Sequence, residues 1–219
     1  MPRFVSSLVF LVLVPALAAA NDQASVVETH LVPPPPWTAA APPTHGLRLY
    51  LYAFAGTRWR TGDILAAAHE ALPLLAQCGV ALAGGELRMV AAARDLHYYS
   101  TPAATRLLRA LAVPRPAIFF VEDTRNDPAF DAEGIGRGNS ATRPELADTI
   151  WIAYGARDLP VALAHELVHV LSDSGAHSSE PGNLMLAETS PANTRLSAVQ
   201  CERLRTRATA NGLLEQRVK

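Results

Sequence analysis

V-A-L-A-H-E-L-V-H-V-L-S-D-S-G-A-H-S-S-E-P-G-N-L-M, residues 161–185, is the stretch from which the rest of this sequence can be interpreted. It contains His165, Glu166 and His169 in the pattern H-E-x-x-H. On an α-helix, residues four apart lie one turn apart on the same face, so both imidazoles can bind one metal ion. Glu166 lies about 100° around the helix from His165, within reach of a water on that ion. The pattern therefore predicts a metal-binding helix.

The surrounding residues favour this interpretation over a chance match. The motif alone is expected by chance in roughly one sequence in a hundred of this length. Pro160 stands where helices often begin, because proline is tolerated in the first helical turn. Three apolar residues give the helix a side that can be buried: Leu163, Leu167 and Val170.

A third ligand is needed, since a catalytic zinc usually binds three protein ligands and keeps one position for water. His177 follows His169 by eight residues, and residues 172–175 (S-D-S-G) are turn-forming residues that can bring it back. Glu188 is the alternative, nineteen residues after His169. That spacing needs a second helix carrying the glutamate, and residues 181–191 contain prolines and a glycine without helical periodicity. The sequence favours His177 and leaves Glu188 open.

The complete pattern resembles the metzincin clan of zinc peptidases, and the matrix metalloproteinases most closely. Their signature is H-E-x-x-H-x-x-G-x-x-H followed by a Met-turn. The eight-residue step from His177 to Met185 is similar to the matrixin spacing. Two departures occur, since Ser172 stands where the family has glycine and the third histidine comes two residues late. We interpret both as a two-residue insertion in the turn, with Gly175 ending the helix.

This resemblance implies a fold and a set of roles. The fold is an α+β zincin with a twisted, mostly parallel sheet, an active-site helix and a small C-terminal subdomain ending in a helix. His165, His169 and His177 would hold one catalytic Zn²⁺, with Met185 beneath it as the Met-turn. Glu166 would act as general base towards a metal-activated water.

The resemblance also implies a substrate-binding edge strand. In the family, an antiparallel edge strand lines the cleft and pairs with the backbone of the substrate, an example of strand addition. By position, the candidate residues here are Ile135, Gly136, Arg137 and Gly138. Because glycines weaken a strand prediction, an ordinary flexible loop stays the alternative.

Composition and the positions of proline-rich and apolar stretches predict the domain organisation. Residues 1–20 read as a secretory signal peptide, with one charge, an apolar run and an A-x-A-like end. Residues 21–45 are interpreted as a Pro-rich linker or tail. The resemblance implies that residues 46–219 form the zinc metalloprotease catalytic domain, divided into N-terminal (46–173) and C-terminal (174–219) subdomains. The chain is thus expected in a secreted or periplasmic location.

Hydrophobic patterns and turn residues predict the elements of that domain. The predicted strands span residues 47–54, 86–92, 117–122 and 149–154. The predicted helices span residues 63–77, 100–112, the motif helix, and 197 to about 211. Pro73 implies a kink or an early break in the first of these helices, and the pattern S-x-x-Q at 197–200 predicts a capping box on the last.

The cysteines and the net charge limit the cellular environment and the partners that we expect for this chain. Cys78 and Cys201, far apart in sequence, are predicted to form a disulfide in an exported protein, and two buried free thiols stay the alternative. The formal net charge of −1 favours neither a nucleic-acid surface nor a membrane surface. We expect a monomer, free of the membrane after signal removal, whose partner is a protein or peptide substrate.

The sequence therefore predicts an exported zinc-dependent endopeptidase. The alternative is a zinc-binding, non-catalytic binding module on a peptidase fold. A retained Glu166 argues against this alternative, because a purely structural zinc site has no need of that carboxylate and tends to be closed by a fourth protein ligand. A third possibility, an exported domain with a fortuitous motif, predicts no bound metal.

Overall fold

The computed structural model describes residues 24–37, 41–125, 134–138 and 143–217. The predicted signal peptide lies outside these residues. Seven strands are described: β1 (Ser25–Val32), β2 (His45–Phe54), β3 (Val80–Ala91), β4 (Ala117–Val121), β5 (Gly134–Arg137), β6 (Thr149–Ala153) and β7 (Leu214–Gln216). Four α-helices are described: α1 (Thr61–Ala76), α2 (Thr101–Leu111), α3 (Leu159–Ser172) and α4 (Ala198–Ala210). Short 3₁₀ turns occur at Arg94–His97 and Pro144–Leu146.

The strands form one sheet in the order β1-β3-β2-β4-β6-β5. Its four central strands, β3, β2, β4 and β6, are parallel, whereas β1 and β5 pair antiparallel at the two edges. The predicted mostly parallel sheet in a mixed α/β fold is confirmed. Strand β4 is buried along its whole length between β2 and β6, as its continuous apolar run predicts.

Helices cover both faces of the sheet, and β2 makes the division clear. Alternate side chains along it, Leu47, Leu49 and Leu51, belong to one apolar cluster together with residues of α1, α3 and α4. Tyr52 and Phe54 belong to a second cluster with residues of α2. Because successive side chains of a strand point to opposite faces, α3 packs on the same face as α1 and α4.

The predicted motif helix is α3, which is the most deeply buried helix of the fold. Its residues from Val161 to Ser172 are all buried. Pro160 lies in its first turn, as predicted. A helix apolar on most sides is stable only inside a core, so the sequence around H-E-x-x-H specifies a central rather than a surface helix.

No helix among the described residues is long and apolar enough to cross a membrane.

Two predicted elements in the first half of the chain can be compared with the structure. Helix α1 runs through Pro73 to Ala76, one residue from its predicted end, so the early break that Pro73 could cause does not occur. Pro73 removes one hydrogen bond and is exposed, while Ile64, Leu72 and other residues of α1 stay packed in the core. Strand β3 begins at Val80, earlier than predicted, because Gly84 takes φ +133° at a register shift against β2. A glycine here allows the strand to continue through a bulge.

The two ends of the described chain also differ from the prediction. Ser25–Val32, within the expected linker or tail, forms β1 and pairs with β3 along Ser25 to Val32. After α4 the chain does not end in a helix, since β7 returns to pair antiparallel with His45–Leu47 of β2. Residues 214–216 therefore join the central sheet.

The predicted disulfide is present between Cys78 and Cys201. It joins the residues directly after α1 to the first turn of α4, across a sequence separation of 123 residues. Both cysteines are buried in the larger apolar cluster, the one that contains residues of α1, α3 and α4. The bond therefore connects two helices on the same face of the sheet as α3.

Candidate active site

The two motif histidines meet on one face of α3. The Nε2 atoms of His165 and His169 lie 2.9 Å apart. Both side chains are buried, with 3% and 8% of their surfaces exposed. This is the juxtaposition that the four-residue spacing predicts.

Backbone carbonyls orient both rings. His165 Nδ1 lies 2.8 Å from the oxygen of Leu184, and His169 Nδ1 lies 2.6 Å from the oxygen of Ser174. A carbonyl can only accept, so each Nδ1 carries the proton and each neutral ring has its lone pair on Nε2. Two lone pairs therefore face each other across 2.9 Å, an arrangement that a shared cation stabilises.

Burial keeps both imidazoles neutral. It lowers the pKa of His169 to about 4, although the bond to Ser174 opposes this effect. Burial likewise lowers the pKa of His165, opposed by the bond to Leu184. Metal ligands must be neutral imidazoles, so at neutral pH the two rings can bind an ion without first losing a proton.

His177 completes the cluster. Its Nε2 lies 3.2 Å from that of His169, and the possible ligand atoms of all three histidines lie within 4.8 Å of one another. Unlike the other two, His177 is exposed. The three imidazoles together present nitrogen ligands that could hold one transition-metal ion, since imidazole suits zinc, copper, iron and nickel.

The segment before His177 departs from the predicted path. Helix α3 continues through Ser172 and ends at Asp173, which takes the left-handed conformation (φ +48°). Ser172 is buried, and its hydroxyl donates to the carbonyl of Val168 at 2.6 Å. Gly175, expected to end the helix, has no positive φ and open space around it. Aspartate is one of the few residues besides glycine that tolerate this conformation, which is why the glycine is not needed.

Glu188 does not join the cluster. It is exposed and lies outside any helix, and α4 begins only at Ala198. Its backbone oxygen accepts a bond from the side chain of Asn193 at 3.0 Å. The second helix that a glutamate ligand would need is therefore missing from this part of the structure.

Glu166 lies between α3 and β5. The backbone N–H of Gly136 donates to its carboxylate, but burial is the larger effect and raises its pKa to about 7. A Cβ added at Gly136 would lie 2.6 Å from Glu166 Oε2 and 3.3 Å from His169 Cβ. Glu166 and His169 thus lie against the same residue of β5.

The glycine-rich segment forms the edge strand rather than a loop. Gly134–Arg137 pairs antiparallel with β6 and lies at the end of the sheet. A Cβ added at Gly134 or Gly138 would lie 2.9 Å from Glu166 or 2.7 Å from Asp173, so small residues allow β5 to approach α3. The side chains of Ile135 and Arg137 lie outside the described part of the structure.

Met185 lies in a buried turn that contacts the neighbouring ligand segments. Its side chain is 3% exposed and belongs to the larger apolar cluster. Its oxygen accepts from the N–H of Ser178 at 2.7 Å, while the preceding carbonyl, of Leu184, accepts from His165. The turn thus contacts the chain on both sides of the cluster; a place for the Met185 side chain beneath a metal stays a prediction.

Sequence reasoning missed two residues beside this turn. Asn183 is buried, and its Oδ1 accepts from the N–H of Met185 at 2.9 Å. Its amide is also bonded to that of Gln200, a residue that the sequence assigned to the capping box of α4 alone. An asparagine in a turn is usually a local turn residue, so no pattern indicated a partner seventeen positions away.

Comparison with known proteins gives a likeness in fold. No family model matches this chain, and no curated protein matches it. Among solved structures, the chain is similar to the crystal structure of metalloproteinase-II from Bacteroides fragilis, with a TM-score of 0.52 and 19% sequence identity. The match covers 76% of this chain and 54% of that one, so this chain spans about half the length of the similar structure. At this identity the likeness concerns the fold.

Proposed function

We propose that this chain is an exported zinc-dependent endopeptidase of the metzincin kind. The observation that carries the proposal is the convergence of His165, His169 and His177 beside the buried carboxyl group of Glu166. A purely structural zinc site has no need of such a carboxylate and is usually closed by a fourth protein ligand. The fold likeness to a metalloproteinase supports the same activity.

Each residue has a role in this proposal. The three imidazoles hold one Zn²⁺ through Nε2, and the bound ion supplies Lewis-acid polarisation of the scissile carbonyl and lowers the pKa of a water. Glu166 accepts the proton of the attacking water and donates it to the leaving amine. Its raised pKa, about 7 in the metal-free chain, suits a group that first accepts and then donates a proton near neutral pH.

Strand β5 supplies the binding surface in this proposal. It is an edge strand of the sheet, bonded on one side to β6, so its other side can add a substrate backbone. Pairing would be antiparallel to β5, with the amino-terminal side of the substrate towards Gly138 and the carboxy-terminal side towards Gly134. Residues 46–219 together with β1, which pairs with β3, form the catalytic domain in this proposal. The predicted signal peptide and the disulfide fit an oxidising, secreted or periplasmic location.

The test combines metal content with peptide cleavage. The purified chain is expected to bind one zinc ion per molecule and to cleave members of a mixed peptide library. Glu166→Ala should keep the zinc and lose cleavage by at least about 10²-fold, the usual contribution of a general base. Zinc binding without cleavage by the unaltered chain would favour the non-catalytic binding module, and a folded chain without zinc would refute both.

The third ligand is tested separately with a matched pair. His177→Ala should reduce zinc affinity strongly, because it removes one of three ligands. Glu188→Ala changes an exposed residue outside the cluster and should bind zinc as the unaltered chain does. Equal zinc loss in both variants would contradict the assignment of His177. Zinc retention is measured by competition with a chromogenic chelator.

A further inference from the structure

We propose that the side-chain amides of Asn183 and Gln200 form a positioning pair. The pair holds the turn at residues 183–186 so that His165 and His177 are placed to bind one metal ion together with His169. This inference rests on the proposed function. The two amides bond to each other and to the backbone N–H groups of Met185 and Ser197, so both act through the turn. We call the two side chains the amide pair.

The turn determines the placement of two ligands at once. The carbonyl of Leu184 accepts from Nδ1 of His165 at 2.8 Å and thereby fixes the ring and its tautomer. The carbonyl of Met185 accepts from the N–H of Ser178 at 2.7 Å and thereby fixes the backbone next to His177. A rotation of these two peptide groups would misplace His165 and His177 relative to His169.

The amide pair is bonded so that neither side chain can turn over. Asn183 Oδ1 accepts from the N–H of Met185 at 2.9 Å and from Gln200 Nε2 at 3.2 Å, while its Nδ2 donates to Gln200 Oε1 at 3.0 Å. Gln200 Oε1 also accepts from the N–H of Ser197 at 2.7 Å. A backbone donor at each end thus requires an oxygen there, and reversing either amide would bring donor against donor.

The helix that carries Gln200 is anchored to an element without ligands. Cys201, the next residue, is bonded to Cys78 after α1. Gln77 donates to the oxygen of Thr194 at 2.8 Å and accepts from the N–H of Leu196 at 2.8 Å. These contacts fix the start of α4 against α1, so the amide pair connects the turn to a rigid part of the fold.

Loss of either amide should therefore weaken metal binding without removing a ligand. In Asn183→Ala, the buried N–H of Met185 and the amide of Gln200 lose their partners. The turn then keeps only its backbone bonds, such as that from the N–H of Leu184 to the oxygen of Arg195 at 2.7 Å. Changes to groups that orient metal ligands typically cost about 10–100-fold in metal affinity. The same range is expected for Gln200→Ala.

Ser197→Ala is the matched control. Its hydroxyl accepts from the N–H of Gln200 at 3.2 Å and forms the other half of the same capping box, but the bonds between Gln200 and Asn183 do not involve this hydroxyl. The variant should lower the melting temperature through loss of the cap. Its zinc affinity should stay within about threefold of the unaltered chain, because the orientation of the ligands is preserved.

The experiment is a zinc competition titration of the full chain and these three variants, with circular dichroism as a check of folding. We also include Asn183→Asp, which keeps the oxygen that accepts from Met185 but sets a second oxygen against Gln200 Oε1. It should recover only part of the affinity lost in Asn183→Ala. The double variant Asn183→Ala/Gln200→Ala should bind zinc no more weakly than the weaker single variant, since paired residues are non-additive. Visible absorption of the Co²⁺-loaded proteins reports the ligand geometry directly and should change in the alanine variants of the amide pair alone.

The outcomes separate this inference from the proposed function. A folded, unaltered chain that binds no zinc overturns both. An unaltered chain that binds zinc, with Asn183→Ala and Gln200→Ala binding equally tightly, overturns the amide pair alone. Equal weakening in Ser197→Ala also overturns it, because general loosening of α4 would then explain the effect. If Asn183→Ala does not fold, Gln200→Ala decides, since Asn183 keeps its bond to Met185 there.

Discussion

At the scale of single residues, the glycines of β5 determine how closely that strand approaches Glu166. Added Cβ atoms at Gly134 and Gly136 would lie 2.9 Å and 2.6 Å from atoms of the Glu166 side chain. These glycines are needed for close approach rather than for φ, since neither takes a positive value. The same residues that weaken a strand prediction therefore allow this strand to cover the proposed base.

Gly136→Ala should accordingly damage the site. The added methyl group overlaps the carboxylate of Glu166, so either β5 or that carboxylate must move. We expect a loss of about 1–3 kcal/mol in the free energy of unfolding, typical of overpacking, and at least tenfold lower peptide cleavage. Gly175→Ala is the control, because its surroundings are open and its φ is ordinary. Equal activity of the two variants would show that β5 does not constrain Glu166.

Glu166 and His169 should give the metal-free chain opposite dependences on pH. The pKa of Glu166 is raised from 4.5 to about 7, so its contribution to stability is present below pH 4.5 and lost as pH rises to about 7. The pKa of His169 is lowered from 6.5 to about 4, so its contribution is present above pH 6.5 and lost as pH falls to about 4. Between pH 4.5 and 6.5 the two effects oppose each other.

Removing the carboxyl group of Glu166 should leave the pH dependence that His169 causes. Relative to the unaltered chain, Glu166→Gln should gain stability as pH rises from 4.5 to 7, by about 3 kcal/mol for a shift of this size. Denaturant unfolding of both chains in a chelator, at several pH values, measures the difference. A difference that does not vary with pH would mean that the carboxyl group is not desolvated in the metal-free chain.

At the scale of elements, two helices end in a left-handed conformation that their sequences do not predict. Helix α2 ends at Ala112, an exposed alanine in the left-handed conformation (φ +46°). Glycine is favoured at such a position because it has no Cβ to clash with the backbone. The same left-handed ending occurs in α3 at Asp173 (φ +48°), so two helices close without the residue usually found there.

Ala112→Gly should therefore stabilise the fold, by about 0.5–1 kcal/mol. Ala110→Gly, two positions earlier and also exposed, should destabilise it by about 1 kcal/mol, because glycine is unfavourable within a helix. The two variants make the same chemical change with opposite expected signs. Urea denaturation of both tests the pair, and a destabilised Ala112→Gly would contradict the assigned helix end.

The elements that sequence predicts well are those whose signals are local. The capping box at Ser197 and the apolar periodicity of α3 depend on neighbours within a few residues, and both are confirmed. Strand β1 was missed because its only evidence is a partner strand more than fifty residues away. For the same reason the three histidines were predicted, whereas the bond between Asn183 and Gln200 was not.

At the scale of the whole molecule, the disulfide connects the helix that supports the turn to the rest of the domain. A bond that closes 123 residues restricts the unfolded chain strongly. On the chain-entropy model, a loop of this length stabilises the fold by about 4–5 kcal/mol. That is a large share of the stability of a typical domain, about 5–15 kcal/mol.

The double variant Cys78→Ala/Cys201→Ala should lose about 3–5 kcal/mol in the free energy of unfolding, the usual cost of removing a native disulfide. It should also bind zinc more weakly, because α4 is held less firmly against α1. Both quantities are measured on the same preparation, with the unaltered chain under oxidising and reducing conditions as the comparison. Unchanged zinc affinity in the folded variant would separate global stability from the positioning of the turn.

The place of Gln200 in the chain has a consequence for biosynthesis. The three histidines are complete once residue 177 has been made, but Asn183, Gln200 and Cys201 follow later, and β7 later still. When the three histidines have just been synthesised, the nascent chain therefore still lacks the residues that orient them. Tight metal retention should appear only after the last helix has been made and its cysteine has been oxidised, so maturation of the site is coupled to completion of the chain and, under the proposed function, to its export.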